Sequence, residues 1–316
     1  MTLLLSRSDL ESVLDPGTCL DALRRGFTAA TGRSTARRVA VPLPGGSATA
    51  LLPGLVAGIP AYTVKVNAKF PDARPALRGV VCLHGLDSGE LLALLDSATV
   101  TAWRTGLAAA LGTHVLARQD ARSVAVIGAG AQAELVLRGL PELREVTGLT
   151  VYDTAPDRAA DFAHRHGERL GVPAAVAPSA AAAAAGADVV VTATWARQPV
   201  LYAADVRPGA HVTSLGADEP GKAELGADLL RRARVVVDDR QLAAETGALA
   251  GAEPGVREAA GTLGEVLRGD APGRTGDAET TVYAPVGLPW QDLAVGWAAY
   301  RAALAAGRGR EADLLA

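Results

Sequence analysis

The spacing of apolar positions changes along the chain. Near the start it is helical: Asp15-Pro16 opens a helix with proline at its first position, and Leu20, Leu23, Phe27 and Ala30 form one apolar face. Ser8-Asp9-Leu10-Glu11 reads as a capping box for a shorter helix before it. After a polar loop at 32–37 the period shortens to β segments punctuated by Pro and Gly, at 38–43, 48–52, 61–66, 79–86 and 91–95. Asp87-Ser88-Gly89 is the hairpin turn between the last two. The pattern predicts two helices on an antiparallel sheet. Ser97 then caps a long helix, to about Arg118, that carries Trp103 and Arg104.

Beyond that helix, continuous apolar runs alternate with helical segments. Val124-Ala125-Val126-Ile127 reads as a strand buried on both faces, and further strands follow at 149–152, 174–177, 188–194, 211–216 and 234–238. Helices are predicted at 156–170, from Ser179 through the alanine run, and at 223–232. This alternation predicts an α/β fold, a Rossmann-type doubly wound parallel sheet, beside the smaller α+β domain. The stretch 251–279 is irregular and glycine-rich. A last helix, 287–306, enters through Pro289 with Leu293, Trp297 and Tyr300 on one face and is expected to return to the first domain. The expected division is 1–118 with 286–316, and 119–285.

The first α/β turn carries chemistry. Gly128-Ala129-Gly130-Ala131-Gln132-Ala133 is GxGxxA between a strand and a helix. Gly128 permits the tight turn, Gly130 lets a pyrophosphate approach the backbone, and Ala133 allows close helix–strand packing. The helix start at Ala131 offers free N–H groups to phosphates. Asp153 ends the second strand, where an acid accepts hydrogen bonds from ribose hydroxyls and repels a 2′-phosphate. The expected cofactor is NAD(H) in preference to NADP(H).

Composition removes other classes. A net charge of −3 with 21% charged residues gives no reason to expect nucleic acid or an anionic membrane as partner. Leu3-Leu4-Leu5 is too short for a signal-peptide core or a membrane span, and the two cysteines, Cys19 and Cys82, form no metal or redox pattern; a reducing cytoplasm is the simple expectation. His164 and His166 would diverge on a helix, and no GxSxG is present, which disfavours metal and nucleophilic chemistry.

Other candidates are few. Arg38 starts a strand, Lys65 lies within one between Val64 and Val66, and Arg104 lies in the long helix. Spacing alone equally places Lys65 on a solvent face and Arg104 on a helix surface; brought together, such cations would suit a carboxylate, with arginine as a bidentate fork. Asp218 follows a parallel strand, where open α/β sheets place catalytic groups, but an aspartate beside Pro220-Gly221 is also an ordinary turn residue.

Several motifs in order make the chain resemble the ornithine cyclodeaminase/mu-crystallin family over nearly its whole length. They are Arg38-Val-Ala-Val-Pro, TVKVNAKFP with Lys65, WRTGLA with Arg104, VIGAGAQAE, DVVVTAT, GADEPGKAEL and VGLPWQDLA. The resemblance implies an NAD(P)-dependent homodimer whose first domain supplies substrate site and dimer interface. It implies that Arg38, Lys65 and Arg104 grip the α-carboxylate of a small amino or imino acid, with Asp218 facing the reacting nitrogen. Gln132, Asp153, Thr194 and Lys222 would contact the cofactor. Members that cyclise ornithine carry a glutamate where this chain has Ala50, which counts against ornithine or lysine as substrate because a buried distal ammonium needs a partner. The expected activity is oxidoreduction at a Cα–N bond, as a ketimine reductase or amino-acid dehydrogenase. The alternatives are a cyclodeaminase using bound NAD and a non-catalytic nucleotide binder.

Overall fold

A computed structural model describes residues 1–29, 37–70, 73 and 76–314, with 37, 38, 51 and 52 described by backbone alone. The chain divides into two compact units, Met1–Thr105 with Leu288–Ala316, and Gly106–Gly287.

The first unit begins with β1 (Thr2–Leu5), α1 (Arg7–Val13) and α2 (Pro16–Ala29). Strands β2 (Arg37–Leu43), β3 (Gly46–Gly54), β4 (Ala61–Lys69), β5 (Leu77–Gly85) and β6 (Leu91–Asp96) follow, and α3 (Ser97–Leu116) leaves the unit. The five β segments expected from the pattern are all present, as an antiparallel ladder β2-β3-β4-β5-β6. β1 extends it in parallel beside β6. The cap of α1 is Ser6, not Ser8: Ser6 Oγ accepts from the Asp9 N–H while Asp9 Oδ2 accepts from the Ser6 N–H. Likewise α3 is capped by Asp96, whose Oδ2 accepts from the Thr99 N–H at 2.9 Å, and Ser97 is its first residue.

The second unit runs through β7 (Ser123–Ile127), α4 (Ala131–Gly139), β8 (Gly148–Tyr152), α5 (Pro156–Leu170), β9 (Ala174–Val176), α6 (Ala180–Ala184), β10 (Val189–Thr192) and β11 (His211–Ser214). It continues with α7 (Ala227–Arg232), β12 (Arg234–Val237), α8 (Arg240–Thr246), α9 (Pro254–Ala259), β13 (Gly261–Thr262), α10 (Leu263–Arg268) and β14 (Thr281–Tyr283). The chain ends in the first unit with α11 (Pro289–Ala306) and β15 (Arg310–Ala312), which pairs antiparallel with β1. The sheet order is β13-β12-β14-β11-β10-β7-β8-β9, every pair parallel. Strand order reverses between β7 and β10, the switch point at which such sheets bind ligands beyond their carboxyl ends.

Period-2 alternation fills both faces of this sheet. Val124, Val126, Val189 and Val191 belong to one buried cluster, and Ala125, Ile127 and Val190 to the other. Ala109 and Ala110 from the second half of α3, with Ala117 just past its end, join the first of these with Val136 and Leu137 of α4. That packing puts the unit boundary inside α3, at 105/106 rather than after 118.

Candidate active site

In the first unit the buried row of β4 is Ala61, Thr63, Lys65 and Asn67, and Val66 points outward. Lys65 is 1% exposed and Arg104 8%, so neither takes the solvent-facing alternative. A buried cation needs compensation. It comes from Asp292, itself 1% exposed, in the first turn of α11, where the helix dipole favours negative charge. Lys65 Nζ lies 2.6 Å from Asp292 Oδ2 and donates to Thr101 Oγ1 at 3.3 Å. Arg104 Nε lies 3.4 Å from Asp292 Oδ1, and its Nη1 donates to Gln291 Oε1 at 3.3 Å. The first two turns of α11 are buried on all sides, from Pro289 to Gly296, and Trp290 packs edge-on against Phe27 at 4.8 Å. Asp292 therefore has little freedom to leave its partners.

Backbone register adds Arg38 to this row. Arg38 pairs with Leu51, and Leu51 with Lys65, two strands apart. The Arg38 side chain lies outside the described residues. Ala50 stands in the neighbouring row with Val39 and Val66, which are 50% and 48% exposed. Strand alternation puts that row on the sheet face opposite Lys65. A carboxylate at position 50 would thus turn away from Lys65 in the same chain, and the alanine there loses its force against a substrate with a distal amine.

In the second unit the carboxyl ends of β7, β8, β10 and β11 come together. The Gly128 N–H donates to Tyr152 O, the Ala193 N–H to Ile127 O and the Leu215 N–H to Thr192 O, each at 2.8 Å. Gly128 has φ +95°, and a Cβ there would lie 2.6 Å from Ala193 O, so only glycine fits. A Cβ on Gly130 would meet no protein atom within 4 Å, leaving that side of the turn open to a ligand. Gly130 is the N-cap of α4, without a side-chain cap, and Gln132 Oε1 is buried with no hydrogen-bond partner. An open cradle and uncapped N–H groups at Ala131 and Gln132 fit a dinucleotide pyrophosphate, and the Gln132 Oε1 is free to accept from a hydroxyl instead.

Asp153 orders this turn from the side. Its Oδ2 accepts from the Ala129 N–H at 2.8 Å and from Arg158 Nε at 3.0 Å; its Oδ1 accepts from the Ala155 N–H at 2.8 Å and from Arg158 Nη2 at 2.5 Å. Burial alone would raise this carboxyl, but Arg158 and the two N–H groups outweigh it and hold it below the ordinary carboxylate range. Asp153 therefore shares its acceptors with a half-exposed arginine, an arrangement not read from the strand pattern.

Thr194 and the loop holding Asp218 are tied to one buried group, Glu224. Its Oε1 accepts from the Thr194 N–H at 2.6 Å and Thr194 Oγ1 at 2.8 Å. Its Oε2 accepts from Thr192 Oγ1, Ser214 Oγ and the Gly216 N–H, each at 2.7 Å. Lys222 Nζ donates to Asp218 Oδ1 at 2.9 Å and sits 4.3 Å from the centre of the exposed Trp195 ring. The structure thus gives Lys222 an acid and an aromatic face as neighbours.

Asp292, Gln291 and Glu224 were not singled out by sequence reasoning. Their signal was present: an acid inside an apolar helix start, PWQDLA, and another at the end of GKAEL. Among the described residues no group of His, Cys, Asp and Glu could hold a metal ion, and no helix is long and apolar enough to cross a membrane.

Comparison with known proteins places these features in context. The chain is 32% identical over 310 residues to the alanine dehydrogenase of Archaeoglobus fulgidus, covering 96% of this chain and 95% of that one. An archaeal alanine dehydrogenase dimer solved with bound NAD superposes with a TM-score of 0.92 at 30% identity, over 99% of both chains. The Δ1-pyrroline-2-carboxylate reductase of Thermococcus litoralis, solved with NADH and L-proline, gives 0.93 at 29% identity, covering 98% of this chain and all of that one (100%). The model of the ornithine cyclodeaminase/mu-crystallin family matches residues 3–307, and the chain belongs to that family.

Proposed function

We propose that the chain is an NAD(H)-dependent oxidoreductase acting at the Cα–N bond of a small amino or imino acid, with reduction of a ketimine carboxylate as its favoured direction. The observation that carries this reading is the buried pair of cations on one face of the first unit, Lys65 and Arg104, sharing a single carboxylate. These three groups carry one positive charge in excess, which suits an anionic ligand. Lys65 and Arg104, with Arg38 from the same cross-strand row, would hold the substrate carboxylate and so orient the Cα–N bond. Asp218 would stabilise the protonated imine nitrogen and manage its proton. The nicotinamide supplies the hydride, so that the C=N bond gains one hydride at carbon and one proton at nitrogen.

The nucleotide would lie at the glycine turn, with Gly128, Gly130, Ala131, Gln132, Asp153, Thr194 and Lys222 around it. We expect NADH to be preferred over NADPH because Asp153 is buried and anionic in the ribose position. Arg158 beside it is the group that would receive a 2′-phosphate if that preference is wrong. The outward row of Val39, Val41, Leu43 and Val66, all exposed apolar residues, supports pairing of two copies into a homodimer. Two free cysteines, Cys19 and Cys82, suit a reducing cytoplasm.

A cyclodeaminase using bound NAD is the second reading, and the register of Ala50 keeps it open. A substrate panel separates the two. Pyrroline-2-carboxylate, piperideine-2-carboxylate and pyruvate with small amines would consume NADH in the first reading. Ornithine or lysine would release ammonia without net NADH change in the second. Nucleotide binding with turnover of none of these would leave a non-catalytic binder.

A further inference from the structure

We propose that Asp292 is the positioning counter-ion of the carboxylate clamp: it holds Lys65 and Arg104 side by side and keeps the Lys65 amine charged, so that a substrate carboxylate meets a preformed site. The inference rests on the reading of Lys65 and Arg104 as carboxylate ligands, and adds a residue that touches neither substrate nor cofactor in that reading.

The geometry is specific. Each Asp292 oxygen serves a different cation, Oδ2 to Lys65 at 2.6 Å and Oδ1 to Arg104 at 3.4 Å. The contact to Lys65 is a close ion pair and the one to Arg104 a looser one, both away from solvent. The two cations come from different elements, β4 and α3, and the carboxylate from a third, α11, anchored by its buried first turns. Gln291, the residue before, takes Arg104 Nη1 on the same Oε1 that accepts the Leu288 N–H, which ties the arginine to the start of α11.

The groups facing Lys65 define what happens without the charge. α3 contributes Arg104 and the neutral Thr101, and α11 contributes Asp292. β3 has no titratable residue, and in register with β4 the inward positions of β5 are Val81 and Leu83. Among the described residues of these elements, Asp292 is the acid that faces Lys65, and Arg104 the neighbouring cation. With Asp292 neutral, burial and the nearby guanidinium both favour an uncharged amine at Lys65. An uncharged amine is a poor carboxylate ligand.

The test is binding of pyrrole-2-carboxylate, a planar carboxylate without a reducible C=N bond, to the full chain with NADH, in the native protein, Asp292→Asn and Asp292→Glu. The native protein should bind it with an affinity that stays level from about pH 6 to about pH 9. Asp292→Asn should lose about tenfold or more in affinity, with the loss growing as pH rises, while its NADH affinity stays native. Asp292→Glu, which restores the charge, should recover most of the affinity and the level profile. A role confined to stability would lower the melting temperature of Asp292→Asn and leave the affinity and its pH profile alone; that result overturns the proposal. If Asp292→Asn does not fold, a native affinity that falls about tenfold across the same pH range overturns it. Failure of the native protein to bind the probe overturns the clamp itself, and with it the underlying reading. Native binding with an unaltered Asn variant overturns the role of Asp292 alone.

Discussion

Replacing Glu224 by glutamine tests whether one buried carboxyl sets the cofactor-side loops. All five of its partners are donors, two on Oε1 and three on Oε2, and each oxygen takes one backbone N–H: Thr194 on one side, Gly216 on the other. Glutamine keeps the shape but turns one oxygen into an NH₂ group. The hydroxyls of Thr192, Thr194 and Ser214 can rotate and accept from it. A backbone N–H cannot. Whichever way the amide sits, either the Thr194 or the Gly216 N–H is left facing another donor in a site where Glu224 is 1% exposed. An orphaned buried donor costs about 1–3 kcal/mol. In a unit of this size that lowers the melting temperature by roughly 2–10 °C. Because the strained groups belong to the loops after β10 and β11, NADH affinity should fall as well, by up to about a hundredfold if the whole cost is relieved by displacing them. Thermal melting and NADH fluorescence titration read the two effects. A glutamine variant that melts and binds as the native protein does would refute the assignment of Glu224 as the tie between these loops.

Four further outcomes follow from the same geometry. Arg104→Lys keeps the charge but loses the fork, so kcat/KM should fall by an order of magnitude or more, about 1.4 kcal/mol or above; unaltered kinetics would place Arg104 outside the site. Asp218→Asn should bind NADH normally and lose roughly 10²-fold or more in turnover, measured beside melting temperature; equal turnover would leave Asp218 a turn residue. Asp153→Ser should release Arg158 and narrow or reverse the preference for NADH in paired titrations with NADPH, and a native protein already indifferent to the 2′-phosphate would refute the role given to Asp153. Finally, His166, Arg138 and Arg165 hold the Glu134 carboxyl at about 2, below its usual 4.5. A lowered acid stabilises the fold above its unfolded value and loses that contribution as pH falls from about 4.5 towards about 2. Glu134→Gln should therefore flatten the acid limb of a stability–pH curve in that window; a limb as steep as the native one would contradict it.

The fold was legible where a period is sustained. Continuous Val-rich runs at β7, β10 and β12 gave themselves away because both faces of that sheet are covered, and the antiparallel ladder showed through its Pro and Gly punctuation. The elements missed are short. β14 has three residues, Thr281–Tyr283, yet lies between β11 and β12; a strand of that length shows no period. β1 and β15 depend on pairing between opposite ends of the chain, which local pattern cannot reveal. In the site, the glycine turn was readable because its chemistry is local. Asp292 was not, because its meaning depends on Lys65 and Arg104, far away in sequence. Thr192 and Thr194 lie 32 and 30 residues from Glu224, and Ser214 and Gly216 only 10 and 8, but across a loop with no period to show that they converge.

Reduction at the carbon of a C=N bond beside a carboxylate can be followed as NADH absorbance when the purified protein meets pyrroline-2-carboxylate. The parallel reaction uses the same ring without its carboxylate, 1-pyrroline. NADH should be oxidised with the carboxylate-bearing imine and proline should appear, with little or no rate with 1-pyrroline, since Lys65 and Arg104 then have no anion to hold. Equal rates with and without the carboxylate, or NADH binding without oxidation by any imino acid of the panel, would contradict it.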